Sequence, residues 1–97
     1  VLHLAAVFAC NFTNHLLAIA NDLTKAHDLE FDLLRPLIRE TFRKGLAAED
    51  PAEVQTGPAR RGDQKTINTH LAMLNGQPKL MEIYELMTGN IRGRYKK

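Results

Sequence analysis

The stretch VLHLAAVFACNFTNHLLAIAN, Val1 to Asn21, contains no Asp, Glu, Lys or Arg, and its reading decides the fold. Leu2, Leu4, Val7, Phe8, Phe12, Leu16, Leu17 and Ile19 place apolar side chains nearly all round a helix, the pattern of a helix that is buried or spans a membrane. A span needs about 20 predominantly apolar residues. His3, Asn11, Asn14 and His15 interrupt this one with groups that are costly in hydrocarbon, so the expectation is a core helix and no membrane. On a wheel at about 100° per residue, these four share a polar arc with Asn21 and Asp22. So apolar a helix exceeds what three further helices of a small domain can cover. A second copy of the chain or another domain is expected to cover the rest.

Downstream, the helix is expected to end near His27, and Asp28 to Asp32 supply turn and cap residues for a second helix. Pro36 falls in the first turn of that helix, where proline is tolerated. Leu33, Leu37, Ile38, Phe42 and Leu46 form its apolar stripe, and Glu40 and Lys44 stand four apart on its exposed side. Asp63 reads as the N-cap of a third helix carrying Ile67, Leu71 and Leu74, closed by Asn75-Gly76. Pro78 opens a fourth, with Leu80, Ile83, Tyr84, Met87 and Ile91 at helical spacing. Nothing alternates at period two. The expected fold is therefore all-α, a bundle of about four main helices forming one domain over residues 1–97.

Composition excludes several classes. With 44% hydrophobic and 25% charged residues the chain is too apolar for intrinsic disorder. The net charge of +2 comes from 13 basic against 11 acidic side chains, and Arg92, Arg94, Lys96 and Lys97 crowd the last six positions. Without those four, nine stand against eleven. A basic tail on a mildly acidic body is a poor footprint for nucleic acid. Cys10 stands alone in an apolar setting, which suggests a buried, inert thiol in a reducing compartment and favours the cytoplasm. No secretory signal precedes the first apolar run, and the first residue is Val1, so the chain is expected to be cut from a longer protein.

Few residues carry recognisable chemistry. His3, His15, His27 and His70 have no ligand spacing for zinc, and Asp28, Glu30 and Asp32 lack the glycine and distal glutamate of a calcium loop, so no metal site is expected. Asn11-Phe12-Thr13 matches a glycosylation acceptor but lies within the apolar helix. The helices flanking Gly76 make a poor DNA reader, because the second carries Glu82 and Glu85. Two features remain. His3 and Asn11, separated by about 12 Å of helical rise, are neutral hydrogen-bonding groups that either line a cleft or are satisfied within a core. Glu49 to Gly62 is a long connection with Val54 as its single large apolar residue, and it leads into TGPARRGD, Thr56 to Asp63. There Gly57-Pro58 sets a turn, Arg60 and Arg61 offer forked donors, and Gly62 precedes the Asp63 cap. A turn and a cap account for the same residues.

HLAAVFACNF, His3 to Phe12, followed at a distance by TGPARRGD, resembles a family of NADP-dependent oxidoreductases in which a Rossmann domain precedes a helical domain of unknown function. The resemblance covers essentially the whole chain. It implies a C-terminal domain similar to that of 6-phosphogluconate dehydrogenase, related in architecture to pyrroline-5-carboxylate reductase, and a homodimer formed through these helices. It places His3 and Asn11, as catalytic candidates, and Thr56, Gly57, Arg61 and Asp63, as substrate or cofactor contacts, beside the nicotinamide cleft. In related hydroxyacid dehydrogenases a lysine stands four residues before the catalytic asparagine. Here that position is Val7, which departs from the ordinary hydroxyacid chemistry. The sequence contains no GxGxxG, so NADP or NAD would be bound mainly by the upstream Rossmann domain, with a small-molecule substrate between the two. This piece alone is then expected to bind no cofactor and to be inactive. The other reading is a non-catalytic helical interaction or dimerisation module.

Overall fold

The structure, a computed structural model, describes residues 1–95, so Lys96 and Lys97 of the basic tail lie outside the described residues. All of its regular elements are helical, and the described residues contain no strand. The chain divides into two units, one from Val1 to Ala47 and one from Ala48 onward.

In the first unit, α1 runs from Leu2 to Ala26. It is α-helical over Leu2–Ala6 and Thr13–Ala26, with a π-helical stretch at Val7–Phe12 between them. The wider turn leaves backbone groups to be re-paired, and the Thr13 hydroxyl donates to the Phe8 carbonyl five residues back, at 3.3 Å. Phe8 and Phe12 meet edge to face, with centroids 5.1 Å apart. After Ala26 the amides of Asp28 and Leu29 turn back onto the carbonyls of Lys25 and Thr24, at 3.2 and 2.8 Å. This Schellman closure puts Asp28 in the left-handed region at φ 55°, where glycine is usual and a short polar side chain is tolerated. A 3-10 turn at Phe31–Leu33 leads into α2, Arg35–Ala47, whose first turn contains Pro36. Glu40 pairs with Arg43 rather than with Lys44.

The expectation of a core helix is corrected here. No residue of α1 is buried, and Leu2, Leu4, Phe8, Phe12 and Leu16 are 86, 61, 63, 49 and 40% exposed. Cys10 is likewise exposed, not a buried thiol. Composition reports that a helix is apolar but not which molecule covers it, and the atoms that would cover α1 are not in its own unit. By length and composition alone α1 is also able to cross a membrane. His3, Asn11, Asn14 and His15 stand within that length as the argument against it.

The second unit is built from short helices with closely spaced stops and starts. The connection expected to be unstructured contains a 3-10 turn at Pro51–Val54, capped by the Asp50 carboxylate on the Ala52 amide at 3.0 Å, and a one-turn helix α3, Pro58–Arg61. Beyond it lie α4, Gln64–Met73, and α5, Pro78–Tyr95, joined through Gly76 at φ 91°. Ala59, Ile67 and Leu74 form the buried core. One side-chain hydrogen bond ties α4 to α5, between His70 Nδ1 and the Tyr84 hydroxyl at 2.8 Å, with the rings edge to face at 5.7 Å. Partial burial raises the Tyr84 pKa, so the phenol stays protonated and available to donate. At the far end of α5 the Tyr95 hydroxyl donates to the Ala52 carbonyl.

Tyr84→Phe removes one partner of the His70 bond without changing the ring. It is expected to cost about 0.5–1.5 kcal/mol of stability, read as a lower urea midpoint with an unchanged slope. No change in the midpoint would mean that the bond is fully replaced by water.

Candidate functional site

TGPARRGD forms a compact junction in the second unit. Gly57 sits at φ 106°, ψ 170°, a conformation open essentially to glycine, and its carbonyl accepts the Arg61 amide at 3.1 Å to close α3. Gly62 ends that helix at φ 70°, while the Asp63 amide returns to the Pro58 carbonyl at 2.8 Å. Asp63 then starts α4 by accepting from the Thr66 amide at 3.1 Å and the Thr66 hydroxyl at 2.7 Å, so the expected N-cap is present. Those two bonds, the hydroxyl first, together with the Arg61 guanidinium, hold the Asp63 carboxyl below its ordinary pKa. Thr56 is exposed, and its carbonyl accepts from Gln55 Nε2 at 3.0 Å.

The two arginines diverge in use. Arg61 reaches Asp63 Oδ2 at 3.3 Å through a side chain that is 60% exposed, a pair that a ligand would displace at little cost. Arg60 lies over the Tyr95 ring, 4.4 Å from its centroid. Stacking fixes the guanidinium plane and leaves its edge donors free. Both arginines line a cleft of about 570 Å³ with Ala59, Gly62 and the last turns of α5, represented by Gly89, Arg92, Gly93 and Tyr95.

Thr56, Gly57, Arg61 and Asp63 are thus brought together in one junction, whereas His3 and Asn11 lie on α1 in the other unit. Both are exposed, and among the described residues neither side chain has a hydrogen-bond partner, so they are not satisfied core polars of this chain. The polar arc also needs correction. A wheel drawn at α-helical pitch does not hold across Val7–Phe12, and Asn11 lies inside that wider turn. The contribution of α5 to the cleft is missed by sequence reasoning because Arg92 reads as part of a basic tail. The available signal is Gly89 and Gly93, four apart inside a helix with Arg92 between them. No group of three or more His, Cys, Asp or Glu that could hold a metal ion occurs among the described residues.

The family described as "Domain of unknown function (DUF2520)" matches residues 1–91. The chain belongs to this family. The DUF2520 chain is also similar to a crystal structure from Bacteroides fragilis described as a "putative NADP oxidoreductase", at 50% identity with a TM-score of 0.89. That match covers 95% of this chain and 35% of the other, so the DUF2520 chain spans about a third of that protein's length. None of the curated proteins compared matches it.

The junction generates two expected outcomes. Gly57→Ala forces a side chain into a conformation open only to glycine and should destabilise by about 1–3 kcal/mol, read in thermal unfolding. Because the Asp63 pKa is lowered in the folded state, its stabilisation is complete above the ordinary carboxylate value of 3.8 and is lost as pH falls through the lower folded value. Asp63→Ala should therefore have the lower melting temperature near neutral pH, with a gap to wild type that narrows on acidification below that value. A gap that stays constant as the pH is lowered ever further below that value would assign the cap no carboxylate dependence.

Proposed function

We propose that this chain is the C-terminal helical domain of an NAD(P)-dependent oxidoreductase, forming a homodimer and one wall of the substrate and nicotinamide cleft. The observation that carries this reading is the 50% identity, over 95% of the chain, to a protein described as a "putative NADP oxidoreductase" whose own length is mostly outside the match. That remainder is long enough for an upstream Rossmann domain. The cofactor supplies hydride transfer when bound there. TGPARRGD offers guanidinium and backbone donors but no glycine-rich loop between strand and helix, so NADP would rest mainly on the other domain.

Within this reading, α1 has two roles. Its apolar side chains, exposed in the single chain, form the contact between two copies, and His3 and Asn11 face the cleft. An imidazole is the side chain best suited to exchanging a proton at physiological pH, and a neutral carboxamide orients a substrate oxygen by donating to it. In the second unit, taken by itself, Thr56, Gly57, Arg61 and Asp63 are the ligand contacts of this reading, with Arg61 as the donor to an anionic group and Asp63 holding both Arg61 and the start of α4. The protein is soluble and cytoplasmic in this account.

Three measurements test it. The 97-residue chain should sediment as a dimer at micromolar concentration, and Phe8→Glu should convert it to monomer. A stable wild-type monomer would remove the dimer. NADPH should bind the protein with its upstream domain at least a hundredfold more tightly than it binds this chain alone, as read by calorimetry. In the longer protein, His3→Ala and Asn11→Ala should reduce turnover or ligand-induced stabilisation while leaving the melting temperature nearly unchanged. A strong loss of melting temperature with ligand response intact would make them structural polar groups.

A further inference from the structure

The cleft beside α3 has a composition that the chain's own packing does not explain. Among the described residues, three of the eight that line it are arginines, Arg60, Arg61 and Arg92, and none is acidic. Asp63 engages Arg61 from outside the lining set, which leaves a local excess of about two positive charges on one small surface. Arg60 is held in place by Tyr95, and Tyr95 by the Ala52 carbonyl, so one guanidinium is oriented before any ligand arrives. Gly89 and Gly93 face the same cleft from inside α5. A glycine inside a helix is the poorest choice short of proline, and a close neighbour is the usual reason for one. Neither has such a neighbour: a Cβ built at either position meets nothing within 4 Å. The space that they leave is not used by the described residues.

We infer that this cleft binds the phosphate group of a small molecule, with Arg60, Arg61 and Arg92 as donors and Gly89 and Gly93 providing the room. Guanidinium forks match phosphate oxygens in pairs. A phosphate monoester near neutral pH carries close to two negative charges, which answers the local excess better than the single charge of a carboxylate. The cleft volume of about 570 Å³ accommodates a metabolite-sized molecule around that group. The inference shares Arg61 with the oxidoreductase reading but needs neither a nicotinamide nor an upstream domain.

The test is titration of the protein with inorganic pyrophosphate, and in parallel with succinate, by calorimetry at constant ionic strength and without nucleotide. Pyrophosphate should bind at least tenfold more tightly than succinate, and Arg92→Gln should weaken it at least tenfold, as should Arg60→Gln. Equal binding of the two anions, or affinity unchanged by Arg92→Gln, overturns the inference. The glycines supply a variant that does not depend on losing charge. Gly89→Ala combined with Gly93→Ala should raise the melting temperature without ligand, because α5 gains helix propensity, and should still weaken pyrophosphate at least fivefold. A raised melting temperature with undiminished affinity would leave the glycines to a packing partner and overturn the site as drawn. Pyrophosphate binding that fails while NADPH still binds the longer protein removes this site and leaves the oxidoreductase reading standing.

Discussion

Exposed apolar surface on α1 is the constraint to which the rest of the first unit answers. No residue from Val1 to Ala47 is buried, although the unit holds Leu2, Leu4, Phe8, Phe12, Leu16, Leu33 and Leu37. Fully burying one such side chain is worth about 1.5–3 kcal/mol, and most of that is unrealised while these faces meet water. Helices held by local hydrogen bonds alone are marginal in water. The proposed dimer would cover these faces and recover that burial. The π-helical stretch at Val7–Phe12 falls within this apolar run and changes the direction in which Phe8, Asn11 and Phe12 leave the helix.

The second unit is organised differently. Among the described residues its buried core is only Ala59, Ile67 and Leu74, so apolar packing does not by itself set the directions of three helices. Backbone punctuation does. Gly57 and Gly62 hold conformations that other residues adopt poorly, Asp50 and Asp63 each cap the helical turn that they precede, and the Tyr95 and Tyr84 hydroxyls anchor α5 at its end and within its first half. A polar framework of this kind suits a surface that must present charged donors in fixed places, since Gly57, Gly62 and Asp63 all lie within a few residues of Arg60 and Arg61.

The same division decides how much of the molecule is legible in the sequence. Residues that act locally read correctly: Pro78 opens a helix, Asp63 caps one, and His27 ends α1, because caps and prolines work through their own backbone neighbours. The all-α class is equally plain, since no segment alternates. What the sequence does not carry is anything dependent on a partner. The nearly all-round apolar pattern of α1 is the same whether a core, a second copy or a bilayer covers it, and so Cys10 reads as buried when it is exposed. The π-helical stretch leaves no pattern in the residues themselves. The one-turn helix α3 is too short for periodicity, so Pro58–Arg61 reads as loop. In the candidate site, TGPARRGD is visible as a unit, while Arg92, Gly89 and Gly93 are not, because only folding brings a helix so much further along the chain against that loop.

Asp63 shows why stability and binding are separable in this junction. Its carboxylate both receives the Thr66 amide and hydroxyl at the start of α4 and holds Arg61, so replacing it weakens that helix start and frees the arginine together. Arg61 has the opposite character. Its side chain is largely exposed and its pair with Asp63 is of the weak surface kind, so removing it leaves Gly62, Asp63 and Thr66 to form the same helix start. Donors carried on the outer side of a cap in this way lose little by turning to a ligand. The cap, meanwhile, fixes the backbone from which they reach.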